Sequence, residues 1–353
     1  MDFTEILEKL SKNLVFRLSL TGQELFHQNF WGWLLDNYWD EFADIFDPDF
    51  KNIQKPEVFL GKNDFNLSLE FSDGLYIIDN KYNSSLNKEQ LEALWIDTEE
   101  KHLNPKKILR VSFPEPAFIT KKWKREDDYD YRKSYNINTD SLTYSNILTG
   151  LQTQNRENAY IKGYIECLEL LNRLKSAYNW DDNSRYEDFF KFYSQYSEYL
   201  ANLNSDITFI NLSLSNFAKK ILSGSSVKND VRISIGNDPG ERFTFEFWKQ
   251  ANDRIIEDIG IAVHGYEYRY CAFIFKENDE GKTSDIRKRY SEKLQKESRL
   301  SSFFKGNKKA DGTFYNQDYQ LYTMLYSKEN LPENITVKEL VEKIQNDLNS
   351  LKE

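Results

Sequence analysis

The stretch from residue 64 to residue 81 constrains the fold most. Phe65, Leu67, Leu69 and Phe71 alternate with polar residues, the period-two pattern of a half-buried strand. Ser72-Asp73-Gly74 supplies a tight turn. Leu75-Tyr76-Ile77-Ile78 follows as a nearly continuous apolar run, which suits a strand buried on both faces. The pattern predicts a hairpin with strands at 64–71 and 75–80. The apolar run ends in Asp79-Asn80-Lys81, and a buried strand that ends in charges needs a reason for them.

In that hairpin Asp64 opens one strand and Asp79 closes the other, so both stand at the same end. Asp79 and Lys81 are two apart and are expected on one face. Two carboxylates and a lysine at the open end of a sheet can hold Mg²⁺ with a water beside it. The lysine would lower the pKa of that water or stabilise negative charge developing on a phosphate. An acid two residues before a lysine is common in a chain that is 29% charged. The apolar run before it sets this one apart.

The flanking segments predict a mixed sheet with helices on its faces. Helices are expected at 4–20 and 22–46. In the second, Leu25, Phe26, Trp33, Leu34, Tyr38 and Phe42 recur at spacings near three and four. Thr21 is its expected N-cap, with Glu24 closing a capping box, and Asp47-Pro48-Asp49 stops it. Glu57 to Leu60 reads as a short extended segment, with Glu57 an edge carboxylate. A helix at 87–102 carries Leu91, Leu94 and Trp95 on one side, and an apolar strand at 108–113 follows. Residues 121–140 are polar and read as a loop, before helices at 141–151 and 155–178. Residues 179–185 read as a linker. Beyond it, 186–222 is helical, 231–235, 242–249, 254–263 and 266–276 read as antiparallel strands, and helices are expected at 284–299 and 336–351. Two domains follow: α/β over 1–178, and an α+β accessory domain over 184–353.

The order of these residues resembles the PD-(D/E)XK nuclease superfamily: Glu24 on a helix, Asp64 on a strand, Asp79-x-Lys81, then Gln90 on the next helix. The run Glu24-Leu25-Phe26-His27-Gln28-Asn29-Phe30-Trp31-Gly32-Trp33-Leu34-Leu35 is similar to the opening helix of one bacterial branch, which shows Glu, Phe-His, then an apolar run ending in Leu-Leu. The resemblance covers roughly residues 20–115, and more loosely the helices to 178. It implies a restriction-endonuclease-like mixed sheet flanked by helices and a Mg²⁺- or Mn²⁺-dependent hydrolysis of phosphodiester bonds, with DNA the expected substrate. It implies Asp64 and Asp79 as metal ligands, the carbonyl of Asn80 as a third, and Glu24 completing the shell. It also implies Lys81 as the catalytic lysine, with Gln90 orienting Lys81 or the phosphate. Members of this branch are often bacterial and linked to restriction or phage defence. The chain departs from the pattern in having Asp79 where Glu is commonest and Asn63 where proline precedes the first acid. It also has Gln90-Leu91-Glu92-Ala93-Leu94 where some members show Gln-x-x-x-Tyr.

A net charge of −10 argues against a protein that coats nucleic acid non-specifically, but local basic clusters remain. Lys121-Lys122-Trp123-Lys124-Arg125 is followed by Glu126-Asp127-Asp128, which cancels much of its field. Residues 284–309 carry nine Lys/Arg against three Asp/Glu, a net of +6. There Arg289, Lys293 and Lys296 share one helical face, and Ile286, Tyr290 and Leu294 another, as in a phosphate-contacting or simply a solvated helix. Cys167 and Cys271 read as reduced core thiols of a cytoplasmic protein. With three scattered histidines they compose no zinc set. His27, among aromatics, reads as a core histidine. No apolar run is long enough to span a membrane, and the acidic start is unlike a signal peptide. Gly281-Lys282-Thr283 lacks the first glycine of a P-loop, Lys276 standing there. Two rivals remain: a decayed nuclease fold serving as a nucleic-acid or protein binding module, and an unrelated α/β protein in which Asp64 and Lys81 are surface charges.

Overall fold

The computed structural model describes residues 2–20, 22–61, 67–81, 88–101, 103–113, 138–154, 157–226, 231–238, 242–253, 255–275, 283–318 and 322–351. The fold is mixed α/β, with two open sheets. The chain divides into two compact units, Met1–Asn179 with Tyr196–Ser213, and Trp180–Gln195 with Leu214–Glu353.

The first unit opens with α1 (Phe3–Lys12) and α2 (Leu14–Ser19). The single helix expected over 4–20 is broken at Asn13. Its backbone is extended and its Oδ1 accepts from Phe16 N at 2.8 Å, which starts a new helix. The helix expected over 22–46 is likewise two, α3 (Gln23–Asn37) and α4 (Trp39–Phe46), because Tyr38 leaves helical geometry at φ −139°, ψ 41°. The N-cap of α3 is Gly22, so Glu24 is the second helical residue and not the third of a capping box. The buried stripe of α3 also differs from the hydropathy pattern. Leu25 is 53% exposed, whereas His27 and Gln28 are fully buried beside Trp31, Leu34 and Leu35.

Five strands form the first sheet: β1 (Glu57–Leu60), β2 (Leu67–Phe71), β3 (Gly74–Lys81), β4 (Pro105–Ser112) and β5 (Thr139–Thr143), in that spatial order. β1–β2 and β2–β3 are antiparallel, and β3–β4 and β4–β5 parallel. The turn at Ser72-Asp73-Gly74 needs its glycine. Gly74 has φ +151°, and a Cβ there would lie 2.6 Å from the Asn104 carbonyl oxygen. The crossover from β3 to β4 is α5 (Lys88–Glu100), whose Trp95 packs on Leu75, Ile77 and Ile108. On the other face lie α3 and α4, with Trp39, Phe50, Phe71 and Tyr76 in ring contact. Gly32 lets α3 approach closely: a Cβ there would meet Leu60 Cδ2 at 2.8 Å. α6 (Tyr144–Thr153) and α7 (Ala159–Lys175) complete the unit, and α1, α2 and α6 pack on α7.

β5 was not legible as a strand. Thr139-Asp140-Ser141-Leu142-Thr143 holds a single apolar residue, and it is extended because it pairs in parallel with β4 from Ile108↔Thr139 to Ser112↔Thr143. β4 begins at Pro105, earlier than its apolar run suggests, and the first residue of a strand tolerates a missing N–H.

In the second part of the chain, the helical stretch expected over 186–222 is α8 (Glu187–Asn202) and α9 (Asp206–Ser223), broken near Asn204, which has φ +48°. The second unit holds a wholly antiparallel sheet of β6 (Val231–Asp238), β7 (Arg242–Gln250), β8 (Asp258–His264), β9 (Glu267–Phe275), β10 (Tyr315–Asp318) and β11 (Tyr322–Asn330). Its spatial order is β10-β11-β9-β8-β7-β6. The sequence reading found the first four of these strands and missed the last two. β11 returns across the long α10 (Thr283–Glu297) segment to pair with β9 along its whole length. α11 (Val337–Asn349) is locked to the sheet by Asp347, which accepts from Tyr268 Oη at 2.9 Å, Tyr270 Oη at 3.1 Å and Lys305 Nζ at 2.7 Å. Cys167 and Cys271 are free and buried. Among the described residues no helix is long and apolar enough to cross a membrane.

Candidate active site at the end of β3

β3 is central in the sheet, between β2 and β4, and with α5 on one face and α3 on the other its Leu75, Ile77 and Ile78 are buried. At its C-terminal end the side chains separate by parity. Ile77 and its register partner Ile108 pack on Trp95 of α5. Two residues on, Asp79 is the register partner of Arg110, and Lys81 ends the strand opposite Ser112. Asp79 is half-buried.

Asn80 has the opposite parity and is wholly buried. Its Nδ2 donates to the carbonyl oxygen of Glu24 at 3.0 Å, and its Oδ1 accepts from Tyr144 Oη at 2.9 Å. One side chain thus fastens the first turn of α3 and the first residue of α6 to the end of β3. Behind it, the Tyr144 ring lies against His27, Trp31 and Phe113. The Tyr164 hydroxyl accepts from Trp31 Nε1 and pairs with His27 Nδ1, both at 2.8 Å. Burial pushes the His27 pKa down to about 3, so the ring is neutral at ordinary pH.

The expected site residues divide as follows. The Asn80 hydrogen bond holds the backbone of Glu24 at the end of β3, where Asp79, Asn80 and Lys81 are consecutive; Asn80 is on the α3 side and Asp79 has the parity of Ile77, on the Trp95 side. Glu24 is half-exposed in the first turn of α3, where a carboxylate also suits the positive end of the helix. The side chain of Lys81 lies outside the described residues, as does Asp64, three positions before the start of β2. Gln90 belongs to α5, and its side chain is outside them too. Among the described residues no three His, Cys, Asp or Glu side chains gather as a metal-binding group. The basic cluster at 121–125 is also outside the described residues. In the second unit Arg289 and Lys296 are exposed on α10, and Lys296 Nζ lies 3.7 Å from Glu292. Tyr290 and Leu294 of the same helix are buried.

Sequence reasoning missed Tyr144, Tyr164 and Arg110. The first two carry no motif. An asparagine closing an apolar strand was the available signal for a buried polar tie. Arg110 stands in the apolar run of β4, where a single charge among Ile108, Leu109 and Val111 was a readable signal. Its guanidinium is half-buried. Desolvation lowers its pKa, and the carboxylates of Asp140 and Asp79 work the other way. Elsewhere on β4, Lys107 is bonded to both Asp140 and Asp47, the latter at 2.7 Å.

No family model matches this chain, and neither a curated protein nor a solved structure matches it.

Proposed function

We propose that the first unit is a metal-dependent nuclease of the PD-(D/E)XK type, hydrolysing phosphodiester bonds, with DNA the expected substrate. One observation carries the reading: the Asn80 Nδ2 bond to the Glu24 carbonyl draws an acidic helix start to a buried strand ending in Asp79 and Lys81. The element order around it supports the same reading. It runs helix, three antiparallel strands, crossover helix, then a strand parallel to the third.

The oxygen donors available suit a hard cation such as Mg²⁺ or Mn²⁺. Asp64 and Asp79 would hold it, with the Asn80 carbonyl and Glu24 completing the set. When bound, such an ion polarises the phosphate and makes a water a better nucleophile. Lys81 stabilises the charge that develops on the phosphate oxygens, and Gln90 orients Lys81 or the phosphate. The Asn80–Glu24 carbonyl bond keeps the strand end and the start of α3 in fixed relation, and the Asn80–Tyr144 bond adds α6 to the same tie, so the backbone that carries Asp79 and Glu24 need not reorganise when substrate arrives. Arg289, Lys293 and Lys296 on α10 of the second unit would contribute phosphate contacts of their own. A role in restriction or phage defence accords with this chemistry.

The test is cleavage of duplex DNA, single-stranded DNA and RNA by the purified protein with Mg²⁺, Mn²⁺ or EDTA. Product with either metal and none with EDTA is expected. Duplex or single-strand binding without cleavage on any substrate would instead make this a binding module on a nuclease-like frame.

A further inference from the structure

We infer that Arg110 is an anion-binding residue of the same site, taking an oxygen of the substrate phosphate beside the one that reacts. This rests on the nuclease reading for the identity of the anion, and it adds a residue which that reading does not contain.

Ile77 and Ile108 are register partners and touch Trp95 together, which fixes the face they share. Asp79 and Arg110 are the next register pair of the same parity, one layer nearer the strand ends. A positive charge therefore stands beside the carboxylate that the metal would engage. Arg110 is half-buried, and its Nε–H is fully buried with no acceptor among the described residues. A buried donor left without an acceptor costs about 1–3 kcal/mol. Asp79 and Asp140 attract it through space. Once Asp79 turns its charge to a divalent cation, the guanidinium keeps only part of the negative field that Asp140 and Asp79 supply together, and an incoming anion can replace what is lost. Two parallel N–H bonds match the oxygens of a phosphate group, and a lysine does not reproduce that geometry. The ligand class is thus a phosphodiester held between cation and guanidinium.

The arrangement carries a signature that a purely structural arginine would lack. A cation beside Asp79 is repelled by Arg110, whereas a phosphate is attracted. Removing the charge should tighten metal binding while weakening nucleic-acid binding.

The experiment compares the full-length wild type with Arg110→Gln and Arg110→Lys. Mg²⁺ affinity is measured calorimetrically without nucleic acid. Affinity for a short fluorescein-labelled DNA, duplex and single-stranded, is measured by anisotropy with Ca²⁺ and with EDTA, and cleavage is followed with Mg²⁺. Arg110→Gln should bind DNA about tenfold more weakly, cleave it more slowly, and bind Mg²⁺ at least as tightly as wild type. Arg110→Lys should recover DNA affinity only in part. Unchanged DNA affinity and cleavage in Arg110→Gln, with the wild type active, overturns the role of Arg110 and leaves the nuclease reading standing. Joint loss of Mg²⁺ and DNA affinity with a lowered melting temperature overturns it too, since that marks a structural residue. If the wild type cleaves nothing yet Arg110→Gln still loses DNA binding in EDTA, the anion site stands and the nuclease reading falls.

Discussion

Acidification should destabilise the first unit through one residue, His27. The ring is fully buried, and its pKa is depressed from 6.5 to about 3. Between those values the unfolded chain binds a proton that the folded chain refuses, so stability falls as pH drops through that window. At pH 5 the unfolded imidazole is mostly protonated, and the loss relative to pH 7 is about 2 kcal/mol. For a unit of this size that corresponds to about 4–8 °C in melting temperature. Carboxylates titrate in the same range, so the comparison needs a variant. His27→Gln removes the titrating group and keeps a polar side chain near Tyr164. Differential scanning calorimetry at several pH values between 7 and 4 should show a flatter pH dependence in His27→Gln than in wild type, by about 2 kcal/mol at pH 5. Equal pH dependence in the two proteins would refute the reasoning, because it would mean that His27 accepts its proton in the folded state.

Four further outcomes are expected. Asn80→Ala removes one buried and one part-buried hydrogen bond, to the Tyr144 hydroxyl and the Glu24 carbonyl; it should cost about 2–4 kcal/mol in denaturant unfolding, with Tyr144→Phe costing about half as much. Lys81→Ala should lower cleavage by a factor on the order of a hundred or more in a single-turnover assay, while stability changes by less than about 1 kcal/mol. Mg²⁺ or Mn²⁺ should raise the melting temperature of wild type, and Asp64→Asn should lose that shift. Reversing Arg289, Lys293 and Lys296 to glutamate should weaken duplex binding and flatten its salt dependence by a slope of roughly 2.7; an unchanged slope would mark an ordinary solvated helix.

The hairpin and its charged end were legible because each signal was local. Alternation gave β2, the Ser72-Asp73-Gly74 turn gave its link to β3, and the apolar run gave the burial of β3. The four strands from β6 to β9 were legible for the same reason. β5 and β11 were not, because pairing with a distant neighbour, not their own pattern, makes them strands. The burial of Gln28 contradicts hydropathy, which put Leu25 inside instead, whereas His27 is the core histidine that its aromatic neighbours led the sequence to suggest. A polar residue enters a core when a specific partner awaits it, and Tyr164, the partner of His27, lies on α7, far along the chain. The candidate site was readable as a set of residue types, but not as a geometry. Asn80 was expected to act through its carbonyl, and the structure gives its side chain the separate task of joining α3 and α6 to β3.

If the end of β3 hydrolyses phosphodiester bonds with a divalent cation, as proposed, Asp79→Asn is the substitution that shows it most directly. The substitution conserves shape and removes only the charge, so its melting temperature without metal should stay close to that of wild type. With Mg²⁺ or Mn²⁺, wild type should cleave labelled DNA under single-turnover conditions and Asp79→Asn should cleave it at least about a hundredfold more slowly. Equal rates in the two proteins, or cleavage by wild type that survives EDTA, would contradict the claim.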